Sequence, residues 1–513
     1  NSLPSYMHPA AYVELPSLPY TSNGKVDRRA LLAMAVQVQV DGQRRQPQNA
    51  LETQLQQLWA ELLELPVEDI ATDESFFNLG GHSILLSRLL LSIRQTFGRS
   101  LSINRFIEAP TLMTLAKLLN DPDQNSASIL SPQAFIDAEA ELNLDPLPVS
   151  QCGDVHKVVV TGANSFLGVH IVEALLAWGA TEVACLVRAS AEHSAAERFS
   201  QALQDNHLTH LDLDRVSVYA ADITQPQLGL PDDVYTRIDL TFGALVHNAA
   251  HVNHVLDYES LARDNVEPIF ECLRLCEGRS KKIFNFVSTL SASSALDADG
   301  QVLEQPAAET PPIYIKNGYN LSKWVGERIL QRARDRGVWV NLFRPGNISF
   351  NSLTGVCQPH KNRLMLMLKG SIQLGQVPEL SLNFDLMPVD FLARFIAFHA
   401  SRYQPTQAVF NLHNPQPLSW DAYVASFRDS GREFSLVSVA EWQRQLARVD
   451  ADNALFGVLG FYLNGFEEDI GDISLISHDN ARAGVRQMGA SYPEKSPALL
   501  RRGAEYLKAI DFI

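Results

Sequence analysis

The sequence predicts a multidomain chain: a small four-helix bundle, then an α/β doubly wound domain with a smaller, mostly helical C-terminal lobe. Three observations carry this. Leu51, Leu55, Leu58, Trp59, Leu62 and Leu63 recur at helical spacing and open a leucine-rich stretch. From His156 the pattern changes to alternating strand and helix, with a glycine-bracketed turn between the first strand and the first helix. After about residue 350 the alternation is lost.

The 513 residues suffice for about two to four domains with real cores. A net charge of -16 argues against a nucleic-acid-binding surface. The five cysteines (Cys152, Cys185, Cys272, Cys276 and Cys357) lack metal-type pairing, which suits reduced thiols and a cytoplasmic location. There is neither a charged-then-apolar leader nor an apolar run of membrane-spanning length. The chain begins at Asn1, as a piece of something longer would.

Along the chain, residues 1–36 hold Leu18-Pro-Tyr-Thr-Ser-Asn-Gly-Lys-Val-Asp-Arg28, in which Asn23-Gly24 predicts a tight turn presenting Lys25. Residues 37–48 are polar, carry Pro47 and read as a linker. Residues 49–120 supply the bundle: a helix from Leu51, a second after Ser83, a short third at Ile103–Ala109 and a fourth at Leu112–Leu119. Ser83 follows Gly80-Gly81-His82 at the mouth of the second helix, where a hydroxyl can cap the helix or be modified. The string Phe76-Phe-Asn-Leu-Gly-Gly-His-Ser83 resembles the attachment site of peptidyl carrier proteins. That resemblance implies a 4'-phosphopantetheine esterified to Ser83. The string around Lys25 is similar to the closing segment of adenylation domains, whose lysine contacts an acyl-adenylate. Residues 121–150 read as a second linker; as a coil its ends would lie on the order of 30 Å apart. Alternatively, Phe135–Leu144 docks on a neighbour and shortens the tether.

In the α/β part, Lys157–Val160 is a buried strand. Thr161-Gly162-Ala163-Asn164-Ser165-Phe166-Leu167-Gly168 is the turn, Val169–Trp178 a helix and Glu182–Val187 the next strand. This βαβ unit opens a Rossmann fold, with a pyrophosphate expected against N–H groups at the helix N-terminus. The second strand ends in Arg188, not in an acid, which suits the 2'-phosphate of NADPH; Arg198 is a second phosphate contact and Asp222 an acceptor for the adenine amino group. After the strand Ala244–His247, the small residues of Asn248-Ala249-Ala250 allow close approach to the cofactor. His247, His251 and His254 cluster, but without a completing carboxylate or cysteine they make no metal site.

Tyr319 and Lys323 lie four apart on one helix and share a face. A nearby ammonium lowers a phenol's pKa, so Lys323 is expected to activate Tyr319 and to bond the nicotinamide ribose. Tyr319 then gives a proton to a carbonyl oxygen that Thr289 orients, with Ser288 as the fallback. Phe343-Arg-Pro-Gly-Asn-Ile348, with Pro345 and Asn347, is a turn over the nicotinamide side. Together these strings resemble extended short-chain dehydrogenases, and specifically the thioester reductase domains that terminate nonribosomal peptide synthetases. Ser165 departs from that pattern, standing where the family usually has a glycine.

The resemblance assigns residues 151–513 to the reductase, with a nucleotide-binding core at about 155–350 and a substrate lobe mainly at about 351–513. It implies NADPH-dependent reductive release of a carrier-bound acyl or peptidyl thioester as an aldehyde, or an alcohol after a second reduction. The implied partners are upstream adenylation and condensation domains and a phosphopantetheinyl transferase, with neither nucleic acid nor membrane. Two alternatives share the domain order: an aminoadipate or carboxylic acid reductase, and a redox-inactive relative that cyclises or docks. In the C-terminal lobe the Leu364–Leu368 and Met387–Phe391 stretches and the helix Phe391–Ala400 are expected to cover the substrate, and Tyr462–Asp472 forms an acidic loop.

Overall fold

The leucine-rich run folds as the helix Ala50–Leu63, whose start is fixed by a reciprocal cap. Asn49 Oδ1 accepts from the Glu52 N–H at 2.8 Å, and the Glu52 carboxylate accepts from the Gln48 N–H at 2.8 Å. The computed structural model describes residues 45–63, 65–76, 78, 79, 85, 89, 92, 93, 96, 97, 110–120, 131–253, 256–311, 317–429, 431–449, 453–455, 458, 462 and 473–513. The chain divides into two units, Asn1–Asp123 and Gln124–Ile513. In the first, Ala50–Leu63 packs with the helix Leu112–Asn120 around Leu55, Trp59, Ile70, Phe76, Leu89, Ile93 and Leu115. Trp59 meets Phe76 edge to face at 5.0 Å. Lys25, the Ser83 turn and Ile103–Ala109 lie outside the described residues.

The second unit is built on one seven-stranded parallel sheet. Its strands are β1 (Asp154–Thr161), β2 (Glu182–Val187), β3 (Val216–Ala220), β4 (Phe242–His247), β5 (Ile283–Val287), β6 (Val340–Pro345) and β7 (Val409–Leu412). Their order is β7-β6-β5-β4-β1-β2-β3. Such a sheet is covered on both faces, so its strands read as continuous apolar runs rather than alternating ones. Val159 pairs with Ala184 on one side and Leu245 on the other. The order reverses between β1 and β4, and that switch point opens a crevice at the carboxyl ends of the strands.

Two expected boundaries shift. From Ser131 onward the expected linker is part of this unit: Ser131 caps the helix Pro132–Ala138, and Phe135 stacks on Phe270 at 6.3 Å. Arg332 Nη1 donates to Ile136 O and Asp137 Oδ1, each at 3.0 Å, and the Leu147 N–H donates to Glu277 Oε2 at 2.7 Å. Burying Phe135 and Ile136 contributes about 1.5–3 kcal/mol each, which favours docking over a free coil. The nucleotide-binding layer likewise does not end near residue 350. β7 pairs with β6, and the helix Val389–Ala400 packs against Phe166–Ala177 inside the core. Phe391–Ala400, expected over the substrate, is thus a sheet-covering helix. Among the described residues no helix is long and apolar enough to cross a membrane.

Candidate active site

A cleft of about 1270 Å³ runs along the carboxyl ends of six strands. It is lined by Gly162, Asn164, Ser165, Phe166 and Leu167 after β1, Arg188 and Arg198 beyond β2, and Asn248, Ala249 and Ala250 after β4. Thr289 follows β5, and Pro345 and Asn347 lie at β6, with Tyr319 and Lys323 between. Pockets for drug-sized ligands measure roughly 300–1,000 Å³, so this cleft is larger than a single such pocket.

The turn after β1 is shaped by close approach. Gly162 has φ +64°, and a Cβ there would stand 2.8 Å from Ala249 Cα; one at Gly168 would stand 2.2 Å from Gly162 O. The helix begins at Phe166, three residues before the expected start, because the Ser165 hydroxyl accepts from the Gly168 N–H at 3.0 Å. This accounts for serine at that position: it is the helix cap. Asn248 Nδ2 donates to Ser165 Oγ at 2.9 Å and to Gly162 O at 3.1 Å, tying the β1 and β4 turns together. Thr161 and Gly168 are not among the lining residues. Thr161 Oγ1 sits 2.9 Å from His247 Nδ1 and accepts from the Ala249 N–H at 3.1 Å, so both residues shape the turn from beneath. A cradle that a methyl group would fill, at a helix N-terminus and a switch point, fits a dinucleotide pyrophosphate.

At the far end Arg188 and Arg198 line the cleft, whereas Asp222 does not. Its Oδ1 is taken up by Arg188 Nη2 at 3.0 Å and by the Thr224 N–H and hydroxyl at 3.2 and 2.8 Å. Burial opposes ionisation there, but those hydrogen bonds prevail and hold the carboxyl below its ordinary range. Through Oδ1, Asp222 holds Arg188 in place. Arg198 donates to the Arg188 backbone carbonyl, which holds its guanidinium against the residue that ends β2.

Tyr319 and Lys323 project from the helix Gly318–Asp335, which Asn317 caps by accepting from the Asn320 N–H at 2.7 Å. Lys323 Nζ donates to Val287 O at 2.8 Å and lies 4.8 Å from the centre of the Phe286 ring. Burial pushes the two groups apart: it raises the Tyr319 phenol, and it lowers Lys323 to about 7 while the Glu327 carboxylate pulls the other way. The expected lowering of the phenol by the ammonium is therefore absent, and burial alone sets its direction. Ser288 and Thr289 both line the cleft; Ser288 donates to Glu327 Oε1 at 2.5 Å, and the Thr289 hydroxyl accepts from the Ser291 N–H at 3.4 Å. Glu327 and Arg344 are fully buried and paired at 2.5 Å, and Arg344 Nη2 also donates to Gln305 O at 2.9 Å.

The turn at Pro345–Asn347 is clamped by Asp385, a residue with no local signature. Asp385 Oδ2 accepts from the Asn347 N–H at 2.8 Å, and Oδ1 accepts from the Asn414 N–H at 2.9 Å. Burial lifts this carboxyl to about 6, against those N–H groups and the Lys495 ammonium. Nothing in the string around Asp385 signals the role, since its partners come from distant segments. Glu327 did carry a signal, an acid four residues beyond Lys323 on a buried helix face. Of the clustered histidines, His247 is buried and held down to about 3 by desolvation and Lys323, and His251 pairs with Asp264 at 2.9 Å. His254 lies outside the described residues. Among the described residues no cluster suits a metal ion.

Fold and cleft together define an NAD-binding oxidoreductase domain of the extended short-chain dehydrogenase/reductase kind, and residues 160–396 match the family described as "Male sterility protein". Residues 53–119 match the family described as "Phosphopantetheine attachment site". The chain thus carries a region that matches phosphopantetheine carrier domains ahead of one that matches NAD-binding reductase domains. It is 29% identical over 537 residues to the isonitrile lipopeptide synthase of Streptomyces coeruleorubidus, covering 98% of this chain and 36% of that protein. It is 28% identical to the L-2-aminoadipate reductase large subunit of Eremothecium gossypii, covering 90% of this chain and 36% of that protein. The chain thus spans little more than a third of these relatives. Among solved structures it resembles the terminal R domain from the myxalamid PKS-NRPS biosynthetic pathway, at 26% identity and a TM-score of 0.64. That match covers 74% of this chain and 98% of that one.

Proposed function

We propose that the chain reductively releases an acyl or peptidyl group held as a thioester on the Ser83 phosphopantetheine. The observation that carries this is the convergence of Thr289, Tyr319 and Lys323 with the Gly162–Gly168 turn in one cleft, on a chain with a carrier domain. NADPH, when bound, supplies a hydride to the thioester carbonyl carbon. Thr289 donates a hydrogen bond to the carbonyl oxygen and Tyr319 transfers its phenolic proton to that oxygen as charge develops. Lys323, on the same helix face as Tyr319, holds the ribose. The resulting hemithioacetal breaks its C–S bond, the carbinol proton passes to sulfur, and an aldehyde and a free thiol remain. A repeated cycle gives the alcohol.

The remaining assignments follow from this reading. Arg188 and Arg198 select NADPH through its 2'-phosphate, and Pro345 and Asn347 face the nicotinamide. Residues 49–120 form the carrier domain and 1–36 the end of an adenylation domain. Upstream adenylation and condensation domains load the substrate after a phosphopantetheinyl transferase has modified Ser83. Five free cysteines support a reducing, cytoplasmic setting. The test is Tyr319→Phe: NADPH binding should persist while thioester-dependent NADPH oxidation falls about 10²–10⁴-fold. A variant as fast as the parent would overturn the assignment.

A further inference from the structure

The helix Gly318–Asp335 carries Tyr319, Lys323 and Glu327 at intervals of four residues, on one face. Two of them hold the end of β5. Lys323 Nζ donates to the Val287 carbonyl at 2.8 Å, and Glu327 Oε1 accepts from the Ser288 hydroxyl at 2.5 Å. Consecutive residues of the chain are thus held by consecutive turns of the helix, and the residue that follows them is Thr289. Glu327 is itself fixed, since Arg344 Nε donates to both of its oxygens, at 3.0 and 3.2 Å. Ser288, Glu327 and Arg344 are all buried.

A hydroxyl has one proton to give. That of Ser288 is committed to a carboxylate, and such a charge-assisted bond is stronger than one between neutral groups. Thr289 acts only as acceptor in its bond from the Ser291 N–H, which leaves its proton for another acceptor. Ser288 is therefore suited to hold rather than to donate: its side chain pins the backbone that carries Thr289 at the cleft wall. Misplacing a group at the reacting centre by about 1 Å can cost on the order of 10²-fold in rate, so a pin of this kind bears on catalysis.

We propose that Ser288 is a positioning residue, anchored by the Glu327 carboxylate, that aims the Thr289 hydroxyl at the substrate carbonyl oxygen. The assignment deepens the reductive reading and rests on it for the role of Thr289. A double-mutant cycle over Ser288→Ala and Thr289→Ala tests it, because a residue that acts through Thr289 loses its effect once that hydroxyl is gone. Ser288→Ala leaves Glu327 paired with Arg344, so the buried ion pair survives the change. Hexanoyl-pantetheine amide, whose carbonyl can take the same hydrogen bond without being reduced, is titrated calorimetrically into the NADPH-saturated chains. Ser288→Ala should weaken its binding about fivefold in the parent and less than about twofold in the Thr289→Ala background, with the NADPH dissociation constant the same throughout. The hexanoyl thioester should show the same pattern in kcat, with a loss of about tenfold for Ser288→Ala in the parent. Equal factors in the two backgrounds by either readout, no effect of Ser288→Ala in the parent, weakened NADPH binding, or no binding of the amide to the parent would overturn the proposal. If amide binding follows the expected cycle but the thioester consumes no NADPH, the reductive reading fails and the positioning role stands.

Discussion

Replacing Lys323 by methionine should make the protein more stable at pH 6 while abolishing its activity. The lysine is an internal cation whose ammonium donates to the Val287 carbonyl at 2.8 Å, and burial lowers its pKa from 10.5 to about 7. At 1.36 kcal/mol per pKa unit that difference corresponds to roughly 5 kcal/mol of destabilisation while both folded and unfolded chains are protonated. Methionine fills similar volume without the charge but leaves the Val287 carbonyl without this donor, a loss of about 1–3 kcal/mol. The net expectation is a gain of about 1–3 kcal/mol at pH 6, after allowance for residual hydration of the ammonium. The pH dependence has a definite sign. Below about pH 7 both states carry the proton and the full cost is present. Between about 7 and 10.5 only the unfolded lysine is protonated, so the parent protein gains stability as pH rises. Above that window the cost is gone. Urea unfolding of the cofactor-free chain at pH 6, 8 and 10 measures this. A variant less stable than the parent at pH 6, or a difference that does not shrink towards pH 10, would refute the reasoning.

Two further substitutions probe the frame around the site. Glu327→Gln leaves the fully buried Arg344 guanidinium without its counter-charge and should cost about 3–5 kcal/mol. Adding Arg344→Met should recover part of that loss, again read from urea midpoints. Gly168→Ala puts a methyl group where only 2.2 Å separates it from Gly162 O, so the turn must open. NADPH affinity, followed by fluorescence titration, should fall at least tenfold, and unchanged affinity would show that the close approach does not shape the phosphate cradle.

The legible parts of the molecule were those encoded locally. The strand–turn–helix of β1 is specified by consecutive residues, and Tyr319 and Lys323 share a face because helical periodicity puts them there. Even the departure at Ser165 has a local cause, a hydroxyl capping the helix it begins. What escaped the sequence depends on contacts between distant segments. Asp385 clamps Asn347 and Asn414, partners spread over some distance in the chain. β7 joins the sheet only after a long excursion, so in the sequence Phe391–Ala400 reads as part of a substrate cover rather than of the sheet. Residues 131–150 read as tether because a single short helix carries little periodicity, and its apolar face became meaningful only against Tyr258 and Phe270. The order of ionisation at Tyr319 and Lys323 also depends on burial, which residue spacing does not reveal.

The central claim is that the group on Ser83 leaves by reduction. Its most direct test is to load an acyl group onto the phosphopantetheine of the full chain, add NADPH, and measure released product by mass together with NADPH consumed. One NADPH per aldehyde, or two per alcohol, is predicted, with no product from Ser83→Ala although that variant binds NADPH as the parent does. Release of a free acid or a cyclised product with NADPH untouched would contradict the account.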